Sequence, residues 1–232
     1  MSVMVVFDID GTLIDTRPSF DRIVRELSGA TDDDIRAFRA HGGFNDDWEL
    51  ARAAVSFIAA GRPSILERCE NVHDVVRWCG HDPGDLSPAG IALYRGGLWK
   101  NERPLVDGAQ LHELAEKLPV AACTGRDGWE LERAEELLSF SFFRATTADH
   151  VKKPDPQALV RLLDDDTTVV LMVGDSAADR RTVEAARQVR PKIKFHYRHM
   201  VEDGTAARLI TQLLEGTDVA SLEDPAARHS DA

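Results

Sequence analysis

Val3-Met4-Val5-Val6-Phe7-Asp8-Ile9-Asp10-Gly11-Thr12 is the stretch on which the reading of this chain turns. Its apolar run is unbroken and rich in β-branched residues, as expected of a strand buried on both faces rather than one half exposed to water. The run ends on an acid, and Gly11 lets the chain leave the strand sharply. Similar runs recur at Val120-Ala121-Ala122-Cys123 and Val169-Val170-Leu171-Met172-Val173, with weaker ones from Phe142 to Ala145 and from Ile193 to Tyr197. Amphipathic patterns separate them: Leu111, Leu114, Ala115 and Leu118 fall on one helical face, as do Leu131, Ala134 and Leu138, and Ala206, Leu209, Ile210 and Leu213. Buried strands alternating with helices predict an α/β fold with a parallel sheet covered on both sides.

Residues 16–103 break that rhythm and read as consecutive helices. Phe20, Ile23, Val24 and Leu27 form one apolar face, with Ser19 as the expected N-cap and Gly29 just past the end. Thr31 is the expected cap of the next helix, and Gly42-Gly43 breaks it. Helical character returns from Trp48 to Ile58 and from Val72 to Cys79, with Gly61-Arg62-Pro63 between them and Gly80 at the close. The expected organisation is a sheet core from 1–15 and 104–216, an inserted all-helical domain from 16–103, and a flexible acidic tail from 217–232.

Composition narrows the function classes. Lys and Arg total 28 against 40 Asp and Glu, a formal charge of −12, and such a surface repels phosphate backbones and anionic membranes. No apolar run approaches the length of a bilayer span. Three cysteines without close spacing argue against a disulfide scaffold or a zinc site. No basic leader precedes the first strand, so the expectation is a cytoplasmic protein, monomer or homodimer, that binds neither nucleic acid nor membrane.

Four segments carry chemistry, each just after an apolar strand. Asp8 and Asp10 are expected on the same side, where paired carboxylates repel unless a cation or a proton joins them. Thr124-Gly125-Arg126 offers a hydroxyl and glycine amides to an anionic oxygen at a strand-to-helix junction. Lys152-Lys153-Pro154-Asp155-Pro156 holds a lysine in a stiffened loop. Gly174-Asp175-Ser176-Ala177-Ala178-Asp179 places two acids around a capping serine, where both can face one cation. Each segment also has a plain reading as turn, N-cap, solvated loop or helix-dipole compensation.

In order, however, the four are acids, hydroxyl, lysine, acids. Through Val3 to Thr12, Ala122 to Gly125, Lys153 to Pro156 and Val170 to Asp179 the chain resembles the haloacid dehalogenase (HAD) superfamily, and its helical insert resembles that family's C1-type cap. The resemblance implies a Rossmann-like core and a Mg²⁺-dependent phosphatase acting on a small phosphorylated metabolite. By this resemblance Asp8 is the nucleophile that becomes an aspartyl-phosphate, and Asp10 the general acid and base. Thr124, Gly125 and Lys153 hold the phosphoryl group. Asp8, Asp175 and the Asp10 carbonyl bind the metal, with Asp179 completing or supporting the site.

Other members' reactions weigh differently. An acid at position 10 argues against dehalogenation, which has no leaving oxygen to protonate. Lys100 is poorly placed to serve a phosphonatase. A phosphomutase of the β-phosphoglucomutase kind keeps the same residues and stays as an alternative, as does a catalytically idle binding module. Arg126 is expected either to touch substrate or, preferably, to pair with a nearby acid. Specificity is expected from the insert, where Gly42-Gly43-Phe44-Asn45-Asp46-Asp47-Trp48 offers Asn45, Asp46 and Trp48; the alternative is a loop with a capping Asn45 or Asp46 and a packed Trp48. The same string resembles a HAD subgroup that includes fusions to a histidine-biosynthesis dehydratase, which implies an amino-alcohol phosphate such as histidinol phosphate as one candidate.

Overall fold

A computed structural model of the chain describes residues 2–41, 47–200 and 204–222. The chain divides into two units, Met1–Asp15 with Arg103–Ala232, and Thr16–Glu102. In chain order the first unit begins with β1 (Ser2–Phe7) and β2 (Ile14–Asp15). The second holds α1 (Arg17–Ser28), α2 (Asp32–His41), α3 (Asp47–Ala59), α4 (Val72–Cys79) and α5 (Ser87–Arg95). The first then resumes with β3 (Arg103–Pro104), α6 (Gly108–Lys117), β4 (Val120–Cys123), α7 (Gly128–Leu138), β5 (Arg144–Thr146), α8 (Gln157–Val160), β6 (Thr167–Gly174), α9 (Ala177–Val189), β7 (Lys194–His199) and α10 (Thr205–Leu214).

The sheet order is β5-β4-β1-β6-β7, and every pairing in it is parallel. Alternate residues of each strand feed opposite cores. Val5, Phe7, Ala122, Leu171 and Val173 face the cluster that includes Leu111 and Leu114 of α6 and Leu209 and Ile210 of α10. Met4, Val6, Ala121, Val170 and Met172 face the cluster that includes Leu159 of α8 and Val183 and Ala186 of α9. Both faces are dry, which is why these strands read as continuous apolar runs. The chain moves outward from β1 through β4 to β5, then returns to the other flank of β1 for β6 and β7. This reversal makes the carboxyl end of β1 the topological switch point, the place where such sheets open a crevice for ligands. This is the expected Rossmann-like α/β architecture with an all-helical insertion.

The helical unit packs Val24, Phe38, Leu50, Ala54, Phe57, Val72 and Val75 into its own core. Gly29 and Gly80 end α1 and α4 in left-handed conformation, as read from sequence. Thr31 does cap α2, accepting from the Asp34 amide at 3.2 Å. Ser19 does not cap α1. Pro18 occupies the first turn and starts the helix after Thr16, so Ser19 lies inside it. There its hydroxyl donates to the Thr16 carbonyl at 2.8 Å and meets the buried Glu102 carboxylate at 3.2 Å. Arg103, read as part of the insert, pairs with Asp15 across β2 and β3 and so belongs with the sheet unit. The expectation of a loose tail from residue 217 fails over its first part: Val219 and Leu222 are buried in the core beside α10. Among the described residues no helix is long and apolar enough to cross a membrane.

Gly108, at the start of α6, lies close against the end of α7. A Cβ there would stand 2.1 Å from the Leu138 carbonyl oxygen at the end of α7. Backbone cannot yield as a side chain can, so Gly108→Ala is expected to destabilise by about 1–3 kcal/mol. The cost exceeds the gain of up to about 1 kcal/mol in helix propensity. A lower denaturation midpoint at unchanged slope is the expected reading.

Candidate active site at the sheet switch point

Asp8 is delivered by the central strand. Phe7 pairs with Ala122 on one side and Val173 on the other, and the Asp8 amide donates to the Val173 carbonyl at 2.8 Å. Regular strand ends at Phe7, so simple pleat alternation does not govern the next residues. Asp8 and Asp10 turn to different cations. Lys153 Nζ lies 2.9 Å from Asp8 Oδ1, whereas Arg126 places Nε and Nη2 each 2.7 Å from Asp10 Oδ1. Of the two readings of Arg126, the structure shows the pairing.

Lys153 arrives from the loop after β5, preceding a cis Lys153–Pro154 bond. Its ammonium is shared, since Nζ also donates to Asp179 Oδ1 at 2.6 Å. Asp179 is completely buried, and its other oxygen accepts from the Ser176 amide at 3.0 Å and the Ser176 hydroxyl at 2.6 Å. The reciprocal bond from the Asp179 amide to Ser176 Oγ closes a capping box at the start of α9. Asp179 is thus at once helix cap and lysine anchor.

Asp175 stands between these groups at the solvent edge. Oxygens of Asp8, Asp175 and Asp179 all lie within 4.8 Å of one another. Hard carboxylate donors at this spacing suit a hard divalent cation such as Mg²⁺. The carboxylate of Asp10 is drawn away by Arg126; its expected part in metal binding concerned only its backbone carbonyl. Two glycines permit the crowding. A Cβ on Gly11, whose φ is +69°, would fall 2.0 Å from Asp175 Oδ2, and one on Gly174 would fall 2.5 Å from Asp179 Oδ2.

The electrostatics follow from one ammonium among several acids. Burial pushes the Asp8 carboxyl well above its ordinary range, Asp179 and Asp10 add to the effect, and Lys153 opposes it. Burial, then Asp179, raise Asp175 to about 6 although its edge is open to water. For Lys153 burial disfavours the charge, but Asp8 and Asp179 outweigh it and the amine is pushed up. Perturbation clustered in this way, at a switch point, marks a candidate functional site.

Thr124 follows β4, the strand that pairs with β1. It is buried at the end of β4, and its hydroxyl oxygen accepts from the Arg126 amide at 3.1 Å, which leaves its own hydrogen to donate. Beside Gly125 the space where a Cβ would stand is open. Tyr197 of β7 was missed by sequence reasoning. Its buried hydroxyl lies 3.0 Å from the Gly174 carbonyl and 3.2 Å from that of Ser176, pinning both sides of Asp175. A lone tyrosine in a strand carries no sequence signal for such a role. Asn45 and Asp46 lie outside the described residues. Trp48 packs within the helical unit, its ring edge-on to Phe20 and filling the space a Gly90 Cβ would take.

A family model described as haloacid dehalogenase-like hydrolase matches residues 4–187. A phosphoglycolate phosphatase of Mesorhizobium japonicum is 28% identical over 214 residues, covering 86% of each chain. The solved phosphatase Tt82 from Thermococcus thioreducens matches with a TM-score of 0.74 at 26% identity, over 92% of this chain and 99% of that one. A HAD-superfamily hydrolase of subfamily IA from Geobacter sulfurreducens, at 22% identity and a TM-score of 0.54, covers 92% of this chain and 96% of its own and is a likeness of fold.

A magnesium ion held by these carboxylates would stabilise the protein in a pH-dependent way. Asp175 is raised in the fold to about 6 from an ordinary 3.8, so the metal-free fold holds a proton there that the unfolded chain has lost. Its contribution to stability is therefore present below about pH 4 and lost as pH rises through about 6. A cation must displace that proton, and its apparent Kd should weaken by up to about tenfold per pH unit below about 6. Magnesium at about 100 times its pH 7.5 Kd should add about 2.7 kcal/mol there and much less at pH 5. Melting curves with magnesium and with chelator at both values measure the difference; equal gains would exclude Asp175 as a ligand.

Proposed function

Because this chain belongs to the haloacid dehalogenase-like hydrolase family, we propose that it hydrolyses the phosphomonoester of a small alcohol by way of a phosphorylated Asp8. The observation that carries this reading is the shared ammonium, with Lys153 Nζ 2.9 Å from Asp8 and 2.6 Å from Asp179. It aims a fixed positive charge at the strand end where a carboxylate would meet phosphorus. The names of the Mesorhizobium japonicum and Thermococcus thioreducens relatives support the phosphatase class. They also make phosphoglycolate the first ester to test.

Asp8 Oδ1 is already engaged by Lys153 and by the Ile9 amide at 2.8 Å, so Oδ2 is the oxygen to attack phosphorus. Thr124 would donate its hydroxyl hydrogen to a phosphoryl oxygen, and the amide beside Gly125 would do the same. Lys153 would neutralise charge on the group in transfer. Asp10 would give a proton to the departing alkoxide, then remove one from the water that attacks the phosphorylated Asp8. Asp8, Asp175 and the Asp10 carbonyl are the oxygens that would hold Mg²⁺, which supplies Lewis-acid neutralisation of phosphoryl charge when bound. Asp179 supports the site by holding Lys153 and Ser176.

A screen of phosphoglycolate and of sugar, amino-alcohol and nucleotide monophosphates tests the reading. Release of inorganic phosphate should depend on magnesium and collapse in excess chelator. Asp8→Asn should lower kcat by about 10³-fold or more with the fold intact. Full activity in that variant would remove Asp8 as nucleophile. Exchange between sugar-phosphate isomers without phosphate release would indicate a mutase.

A further inference from the structure

Arg126 and Asp10 form a lopsided pair: the arginine side chain is only 3% exposed, whereas that of the aspartate is 38% exposed. The buried partner is the anchored one. Its backbone is fixed by the amide bond to Thr124 Oγ1 and by the Ala148 amide, which donates to the Arg126 carbonyl at 2.9 Å. Asp127 follows at once as N-cap of α7, with Glu130 completing its capping box. From this rigid junction Nη1 reaches the Glu130 carbonyl at 3.3 Å, while Nε and Nη2 converge on a single oxygen, Asp10 Oδ1. The other oxygen, Oδ2, receives neither of these bonds.

We propose that Arg126 is the positioning residue for the general acid–base Asp10, clamping Oδ1 so that Oδ2 alone carries the proton exchanged during the reaction. The inference rests on the phosphatase reading above. Its physical basis is that guanidinium nitrogens only donate. An oxygen that accepts from two of them has no place for a hydrogen between itself and the arginine, so the carboxyl proton resides on the opposite oxygen. Two donors converging on Oδ1 also hold that oxygen in place more closely than one flexible ammonium would. In the first half-reaction the Asp8–phosphorus bond forms, the ester oxygen–phosphorus bond breaks, and the Oδ2 proton passes to the leaving oxygen. In the second, Oδ2 takes a proton from water as its oxygen bonds to phosphorus and the Asp8–phosphorus bond breaks.

A pure core brace or a direct phosphate ligand would behave differently from a positioner of the acid. The discriminating comparison uses phenyl phosphate, whose leaving group needs a proton, and 2,4-dinitrophenyl phosphate, whose leaving group does not. Because kcat/KM reports only steps through alcohol release, Arg126→Gln should lower it by about 100-fold for the phenyl ester and by about threefold or less for the dinitrophenyl ester. Dinitrophenolate should then appear in a burst equal to the enzyme present, since water attack still needs Asp10. Arg126→Lys should recover part of the phenyl ester rate, and vanadate should inhibit all forms alike. Equal losses on both esters, or vanadate inhibition that weakens in step, would overturn the inference while leaving the phosphatase reading in place. So would failure of both variants to fold, which would make Arg126 a brace. A wild-type protein inert toward both aryl esters and toward every monophosphate of the screen would overturn the phosphatase reading and this inference with it.

Discussion

The repulsion among carboxylates crowded at the end of one buried strand is the constraint from which the rest of this site follows. Asp8, Asp175 and Asp179 bring oxygens within 4.8 Å of each other, and Lys153 is the ammonium placed among them. At an effective dielectric of 20, two unit charges 4 Å apart interact with an energy of about 4 kcal/mol, so such a cluster holds only with compensation. Lys153 supplies part. Raised carboxyl pKa values at Asp8 and Asp175 express the remainder, and a divalent cation is the chemical species that would relieve it.

Holding like charges together also demands unusual backbone. Gly11 and Gly174 stand where any side chain would overlap a carboxylate of the site. Their role is to let chain and acid approach, and at Gly11 a positive φ adds to the requirement. The polar partners behind the acids complete the support. Ser176 holds one oxygen of Asp179 while Lys153 holds the other, and Tyr197 reaches from the neighbouring strand to the carbonyls flanking Asp175. These groups need never touch substrate to matter, because a carboxylate displaced by an ångström loses its alignment.

Where sequence reading succeeded, local pattern and tertiary environment agreed. Val120 to Cys123 is the observed β4 because a short apolar run between polar turns has one good solution in a doubly covered sheet. The next strand was read as Phe142 to Ala145 but lies at Arg144–Thr146. The apolar residues before it, Phe140 and Phe142, pack edge-on to each other as loop, and the strand itself opens on Arg144, whose guanidinium is taken by Asp164 at 2.6 Å and the Leu162 carbonyl. Helix α5, which carries Pro88 and Gly90, was not singled out from the sequence. Proline suits a first turn, however, and Gly90 is required by the ring of Trp48, a long-range contact that no window of sequence contains. The four chemical segments were legible because each is short and tied to a strand end. The Arg126–Asp10 pair spans 116 residues, and sequence could offer it only as one option of two.

The two buried cations of the site divide the work by what each can do geometrically. Lys153 is a point charge held between Asp8 and Asp179 and so suited to a position where charge builds on a transferred group. Arg126 is a planar fork fixed at a helix start, suited to holding one carboxylate oxygen in place. Exchanging them would leave the net charge unchanged and lose both geometries. Global charge is equally uninformative. The chain carries −12, yet with a divalent cation bound, three acids would face three positive charges, counting Lys153, and Arg126 stands beside Asp10 in addition, so a phosphate dianion would not meet a net negative pocket. What decides whether an acidic protein can accept such a substrate is the balance within a few ångströms of phosphorus, where screening by water is weakest.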